Sequence, residues 1–287
     1  MVTARSAALT SALRKGARRT AVACGCALAL AGSTLAATPT QADDRQITAA
    51  DQAYFSYYHL DAARAKGYTG KGVTIAIIDG PVDVSVPELA GADILDKTPC
   101  SIEATDELKT HGTSVASLLV SRDYGIVPDA TLLSYQVLDP TSRVGGDCSF
   151  QNNLRLTDLS SLINHAINDG ASIINYSSST RAQGNDLKWA IARAMNQGVI
   201  ITASVGNNAT DENSSHLSQW SGIVGVSAIN TDGKFASYSS WGEGVTTTAV
   251  GGPFTERNLV LGQISQTQGT SISAPIVAAA LAQARAK

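Results

Sequence analysis

Val73 to Ile78 carries no charge, is dominated by β-branched residues and runs directly into Asp79. Such a continuous apolar run reads as a strand buried on both faces, the kind found in parallel sheets covered by helices. Four more runs of the same character follow, at Thr131–Val137, Ile173–Tyr176, Val199–Val205 and Ile223–Val226. Helical patterns at His111–Ser121, Thr157–Asn168 and Asn185–Gln197 lie between them, and a short one at Asp61–Lys66 precedes the first strand. The alternation predicts an α/β domain with a mainly parallel central sheet flanked by helices. No repeat or low-complexity linker interrupts it, and 287 residues suffice for one sizeable domain.

Residues 1–42 have a different composition. They hold Arg5, Arg14, Lys15, Arg18 and Arg19 and no acid, then the uncharged stretch Ala21–Ala37, then small residues up to Ala42. That is the layout of a secretory signal, with cleavage expected after Thr40-Gln41-Ala42 and Ala37 as the alternative site. Arg18-Arg19 also fits a twin-arginine signal, so export by either route stays open. The apolar stretch is at the short limit for a membrane span and is interrupted by Gly25, Gly32, Ser33 and Thr34, so no stable span is expected. The organisation read here is a signal peptide at 1–42, a short extension with a first helix at 43–66, and one domain at 67–287.

Removing a basic leader from a chain whose net charge is already −3 leaves an acidic remainder. Such a surface repels a phosphate backbone, which excludes nucleic acid as a partner. Cys24 and Cys26 leave with the leader, so Cys100 and Cys148 are the one possible disulfide, alternatively two free thiols.

In an open parallel sheet, residues that handle ligands gather beyond the carboxyl ends of strands. Here Asp79 ends one strand, Ser177-Ser178-Ser179 follow another, and Gly206-Asn207 follow a third. Four segments stand out: Asp79-Gly80-Pro81-Val82-Asp83, the run from His111 to Ser117, Gly206-Asn207-Asn208, and the run from Gly269 to Pro275 around Ser271. Taken singly each has a plainer role, as turn former, helix cap or loop residue. Together they hold what a nucleophilic hydrolase needs. A serine hydroxyl is a weak nucleophile until a histidine takes its proton; a buried carboxylate orients that histidine, and an amide can bind the developing oxyanion. The chain has no HExxH, paired CxxC or phosphate-loop pattern, so neither a catalytic metal nor a nucleotide cofactor is expected, and no GxSxG elbow is present. His59, His165 and His216 match no motif.

With His-Gly-Thr-Ser-Val-Ala beside Gly-Thr-Ser-Ile-Ser-Ala-Pro, the chain resembles the subtilisin-like serine proteases from about Tyr57 to Ala286. The resemblance implies a three-layer fold and assigns Asp79 as orienting acid, His111 as general base, Ser271 as nucleophile and Asn207 as oxyanion donor. It also implies that Ser177, Ser178, Ser179 and Gly206 bind an extended peptide or unfolded protein segment by strand addition. The chain departs from the family pattern in several places. Asp-Gly-Pro-Val-Asp around Asp79 is similar to the branch that includes cyanobactin-maturing proteases. Ser178-Ser179-Thr180 stands where Leu-Gly-Gly is usual, which implies small to medium residues before the cut bond. The segment before Gly67 is too short for a typical inhibitory propeptide, and Ser121–Ile126 is shorter than the family's calcium loop, so structural calcium is possible but unsupported. Asp139–Leu156 is long and is expected to form a rim on the cleft. The chain ends soon after Ser271, which is expected to leave one face of the nucleophile helix exposed. Three readings stay open: general extracellular proteolysis, maturation of one precursor peptide, and peptide binding without catalysis. The oligomeric state is also open.

Overall fold

The computed structural model describes residues 45–137, 157–178, 183–211 and 216–286, together with the backbone of Arg143–Val144. The expected signal, the loop at 139–156 except that dipeptide, Cys148, Ser179 and Thr180 lie outside the described residues.

Seven strands form one sheet: β1 (Thr74–Asp79), β2 (Ile94–Asp96), β4 (Thr131–Gln136), β6 (Ile173–Tyr176), β7 (Ile200–Ser204), β8 (Ile223–Ile229) and β9 (Thr247–Val250). Their order is β2-β4-β1-β6-β7-β8-β9, and each neighbouring pair is parallel. Two short antiparallel pairs stand apart from it: β3 (Ile102–Glu103) with β5 (Arg143–Val144), and β10 (Phe254–Asn258) with β11 (Gln263–Thr267).

Among the described residues six α-helices accompany the strands: α1 (Ala53–Tyr57), α2 (Leu60–Ala65), α3 (Asp106–Val120), α4 (Leu159–Asn168), α5 (Asn185–Asn196) and α6 (Thr270–Arg285). Alternation along β1 shows how the layers arise. Ile75 and Ile77 join the hydrophobic cluster that contains α3 and α6, whereas Ala76 and Ile78 join the one that contains α4 and α5. A strand with period-two side chains and apolar residues at every position can only be buried on both faces. The result is the expected mainly parallel sheet between helical layers.

The segment before the first strand packs into this core. Ile47, Tyr54 and Leu60 are buried in the α3/α6 cluster, and the Tyr54 hydroxyl donates to the Tyr124 carbonyl at 2.9 Å. Gln52 bonds the backbone of Thr255 in both directions, tying this segment to β10. The first three turns of α6 are largely buried, and its exposed residues, Ala280, Ala284 and Arg285, lie in its C-terminal part.

The path of the chain fixes where a ligand fits. From β1 it moves outward to β2 and back to β4 on one side, then continues with β6 to β9 on the other. The switch in direction lies at β1, and the crevice beyond the carboxyl ends of β1 and β6 is the position such sheets use for binding. Among the described residues no helix is long and apolar enough to cross a membrane.

Candidate active site

A cleft of about 350 Å³ opens at that switch point, lined by Asp79, His111, Ser177, Ser178, Gly206, Asn207 and Ser271 among others. Every sequence-predicted site residue that is described, apart from Cys100, therefore lies on one cavity. These residues come from the ends of three strands and from two helices.

Asp79 and His111 meet because their backbones come unusually close. A Cβ on Gly80 would collide with the Leu108 carbonyl, and one on Gly112 would collide with the Gly80 carbonyl. Only glycine at both positions lets the end of β1 rest on the second turn of α3. The Asp83 N–H donates to Thr113 Oγ1 at 2.9 Å and pins the following loop to the same helix. Asp83 itself accepts from Ser85 N–H and Oγ, so the second acid of the motif shapes a loop.

α3 starts at Asp106, five residues before the expected position, so His111 lies within the helix and is not its cap. The N-cap is Thr105, whose side chain accepts from Leu108 N–H, followed by Asp106 and Glu107 in the first turn, where acids complement the helix dipole.

His111 Nδ1 lies 2.6 Å from Asp79 Oδ1, which also accepts from Gly80 N–H at 2.7 Å. A carboxylate only accepts, so Nδ1 carries the proton and Nε2 is left as the basic nitrogen of the neutral ring. Asp79 is 3% exposed. Its Oδ2 has no hydrogen-bond partner among the described residues. The next two residues explain this: Gly80 has no hydroxyl and Pro81 has no N–H. Burial by itself would push His111 toward its neutral form. The facing Asp79 charge, the hydrogen bond to it and the charge of Glu256 outweigh burial, and the pKa lies above the ordinary histidine value.

The other half of the site is wired by hydrogen bonds. Asn207 Oδ1 accepts from Thr270 N–H at 2.8 Å and from Thr270 Oγ1 at 3.0 Å. The Thr270 N–H can only donate, which fixes the amide orientation and leaves Asn207 Nδ2 as a donor toward the cleft. Asn207 Nδ2 and Ser271 Oγ both approach Gly269, each 3.0 Å from the position a Cβ would take there. Ser271 is the second residue of α6, so its N–H has no acceptor inside the helix and faces the same space.

The Ser271 carbonyl has a special need. In a regular helix it would accept from residue 275, which is Pro275 and has no N–H. Ser177 Oγ supplies the missing bond at 2.9 Å. Ser177 in turn accepts from Asn175 Nδ2 at 2.9 Å, and Asn175 Oδ1 accepts from Thr202 Oγ1 at 3.0 Å. Two strand residues and Ser177, just beyond the end of β6, thus hold the start of α6, and Ser177 anchors the nucleophile helix as well as lining the cleft. Asn175, Thr202 and Thr270 were not read from the sequence as site residues. The signal that could have found them is Pro275, four residues after Ser271, which announces an orphaned carbonyl.

The remaining histidines do not line the cleft, although His216 packs against Gly206 from behind it. His216 Nδ1 lies 3.3 Å from the Val205 carbonyl, His165 is in α4, and His59 precedes α2 at a left-handed φ of 51°.

Fold and site define a parallel α/β domain with an aspartate, a histidine, a serine and an asparagine gathered where its strands end and its last helix begins. The chain belongs to the subtilase family, whose model, peptidase S8, matches residues 70–287. Subtilisin E of Bacillus subtilis (strain 168) is 28% identical over 229 residues, covering 77% of this chain and 57% of that protein. The minor extracellular protease Vpr of the same organism is 34% identical over 161 residues, 50% of this chain and 18% of its own length. The chain thus spans a little over half the length of curated subtilisins such as subtilisin E. Among solved structures, the prenylagaramide maturation protease PagA superposes with a TM-score of 0.65 at 26% identity, covering 78% of each chain. The self-cleaved protease domain of PatA gives 0.58 at 26%, covering 75% of this chain and 80% of that one. MycP1 from Mycobacterium smegmatis, at 22% identity, shares the fold with a TM-score of 0.64 over 84% of this chain and 75% of its own.

Proposed function

We propose that the chain is an exported serine endopeptidase that cuts peptide bonds through an acyl-enzyme. The observation that carries this reading is the 2.6 Å contact of His111 with buried Asp79 on the cavity that also holds Ser271 and Asn207. In the proposed reaction Ser271 Oγ attacks the carbonyl carbon while His111 Nε2 takes its proton. The tetrahedral oxyanion accepts hydrogen bonds from Asn207 Nδ2 and the Ser271 N–H, at the positive end of α6. As the intermediate collapses, His111 returns the proton to the leaving amine. Water then enters, losing a proton to His111 as its oxygen bonds the acyl carbon, and the second tetrahedral intermediate collapses with that proton passed to Ser271 Oγ, which releases the acyl group as an acid and restores the enzyme. Asp79 remains ionised throughout and stabilises the imidazolium. The acyl side of an extended substrate lies along Ser177 and Ser178, and the reaction as drawn uses side chains and backbone alone.

Export belongs to the same reading, supported by the basic, apolar and small-residue layout of residues 1–42 and by a relative that is extracellular by name. So does a Cys100–Cys148 bridge, which an oxidising compartment would favour. Purified protein is expected to digest unfolded casein, and Ser271→Ala to abolish the digestion; intact casein after incubation with folded wild type would count against general proteolysis.

A second reading, maturation of one precursor peptide, is supported by the likeness to PagA and PatA and by the Asp-Gly-Pro-Val-Asp segment. It predicts that casein survives while one peptide is cut at one site, and cleavage of many unrelated peptides would exclude it.

A further inference from the structure

A second cavity, of about 210 Å³, opens beside His111 and Ser271. It shares those two residues and Thr267 with the main cleft but does not reach Asn207, Gly206 or Ser177. The acyl half of a substrate must lie with the oxyanion donor, so this second space is left for the residues that depart with the amine. Its wall combines apolar carbon from Val260 and Ile272 with two carboxylates, Glu107 and Glu256, and no lysine or arginine lines it.

Glu256 has no part in the reaction described above, yet it is 9% exposed. Burying a carboxylate without a cation is costly, and the fold meets that cost with hydroxyls. Ser114 Oγ donates to Oε2 at 2.7 Å, and Ser265 Oγ lies 3.5 Å from Oε1. The adjacent arginine does not help: on β10 successive side chains point to opposite faces, and Arg257 is engaged with Glu88 at 2.8 and 3.0 Å. Burial raises the pKa of Glu256, with Ser114, His111 and Ser265 pulling the other way. Glu107 is exposed, and hydrogen bonds from its own backbone N–H and from Thr105 hold its pKa below the usual range.

We propose that this cavity is a specificity pocket for a lysine or arginine side chain on the leaving side of the cut bond, with Glu256 as its buried carboxylate and Glu107 as its exposed one. A long cationic side chain matches the wall, since its methylenes pack on Val260 and Ile272 while its charge meets the carboxylates. The proposal rests on the endopeptidase reading.

The test is a set of peptides that differ only at the residue after the cut bond, as Lys, Arg, Ala or Glu, with labelling by a fluorophosphonate run in parallel on the same protein. Wild type is expected to cut the Lys and Arg peptides at least about tenfold faster in kcat/KM than the Glu peptide, with Ala between, and the preference is expected to weaken as salt rises. The Lys-to-Glu ratio is expected to fall at least about threefold in Glu107→Gln and further in Glu256→Gln. If Glu256 acted only on the basicity of His111, Glu256→Gln would change all four peptides alike, and an unchanged ratio in both variants would overturn the pocket. A wild type that labels with the probe but cuts Lys and Glu peptides equally would also overturn it, with the endopeptidase reading intact. A folded wild type that neither labels nor cuts would sink that reading and the pocket with it. Glu107 is exposed, so Glu107→Gln keeps the test open even where Glu256→Gln fails to fold.

Discussion

Asp79 meets His111 because two glycine backbones touch, whereas the start of α6 is held by hydrogen bonds, directly to Asn207 and through a relay that ends on the Ser271 carbonyl. In the first half, close backbone contact sets the distance across which the Asp79–His111 hydrogen bond forms. Gly80 and Gly112 leave no room for a side chain, and Asp79 Oδ2 is left without a partner among the described residues. In the second half, Thr202, Asn175 and Ser177 act in series to satisfy the one carbonyl that Pro275 orphans. The contrast teaches that the two halves should fail differently. A steric contact fails at once and takes local structure with it, while a hydrogen-bond relay loses function in steps.

Gly112→Ala should break the comparison hardest. Its methyl group would collide with the Gly80 carbonyl, so β1 and α3 must separate. The expected cost is about 3 kcal/mol of stability, visible as a fall in thermal midpoint, with activity down by about 10⁴-fold as His111 leaves Asp79. Near-normal activity would mean that the close approach is not what positions the pair.

Asn207→Ala removes the oxyanion donor, and with it the acceptor of two Thr270 hydrogen bonds, without forcing any backbone apart. It should lower kcat by about 10²- to 10³-fold and leave KM little changed. A loss expressed mainly in KM would place Asn207 in ground-state binding and not at the oxyanion.

Ser177→Ala leaves the Ser271 carbonyl without its donor and Asn175 with an unused amide. About 1–3 kcal/mol of stability should be lost, since Asn175 is fully buried and the Ser271 carbonyl is partly so. Activity should drop by about tenfold as the start of α6 loosens. Asn175→Ala and Ser177→Ala combined should cost less than the sum of the two, because they act in one chain.

The smallest effect concerns pH. Neutral His111 is the form that takes the proton from Ser271, so activity should fail as pH drops through a value above the ordinary 6.5. Removing the Glu256 charge takes away one of the causes that raise this pKa, and the acid limb should move to lower pH in Glu256→Gln. Stability runs in the opposite sense. A pKa raised by folding contributes stability below the unfolded value that disappears as pH rises through the folded one. The Asp79–His111 pair therefore stabilises the fold most in the range where the enzyme is least active. A Glu256→Gln acid limb that stays in place would remove Glu256 from the electrostatics of His111.

The same contrast explains what could be read from the chain itself. Val73–Ile78 and the other apolar runs announce the parallel sheet, because strands buried on two faces leave a continuous hydrophobic signature. Asp79, His111, Asn207 and Ser271 sit beside glycines and small residues, so the close contacts that place them also mark them. The relay is quieter. Asn175 and Thr202 are single polar residues inside apolar strands, where nothing local separates a structural hydrogen bond from a tolerated substitution. The start of α3 was missed because Thr105, Asp106 and Glu107 are polar capping and first-turn residues that precede its apolar pattern. The β10–β11 hairpin was missed for a related reason: Thr255, Glu256, Gln263 and Gln266 give it no apolar run to count, and its one fully buried hydrophobe is Phe254. Glu256 went with it, since its meaning depends on a fold that carries it to His111.

The proposed reaction requires that His111 and Asp79 activate Ser271. Fluorophosphonate labelling tests it directly, because the probe reports an activated serine without requiring the natural substrate. Wild type, Ser271→Ala and His111→Ala would be compared, with the modified residue located by peptide mass mapping. A single adduct on Ser271 is expected in wild type, none in Ser271→Ala and almost none in His111→Ala. A folded wild type that stays unlabelled, or an adduct that persists when His111 is gone, would contradict it.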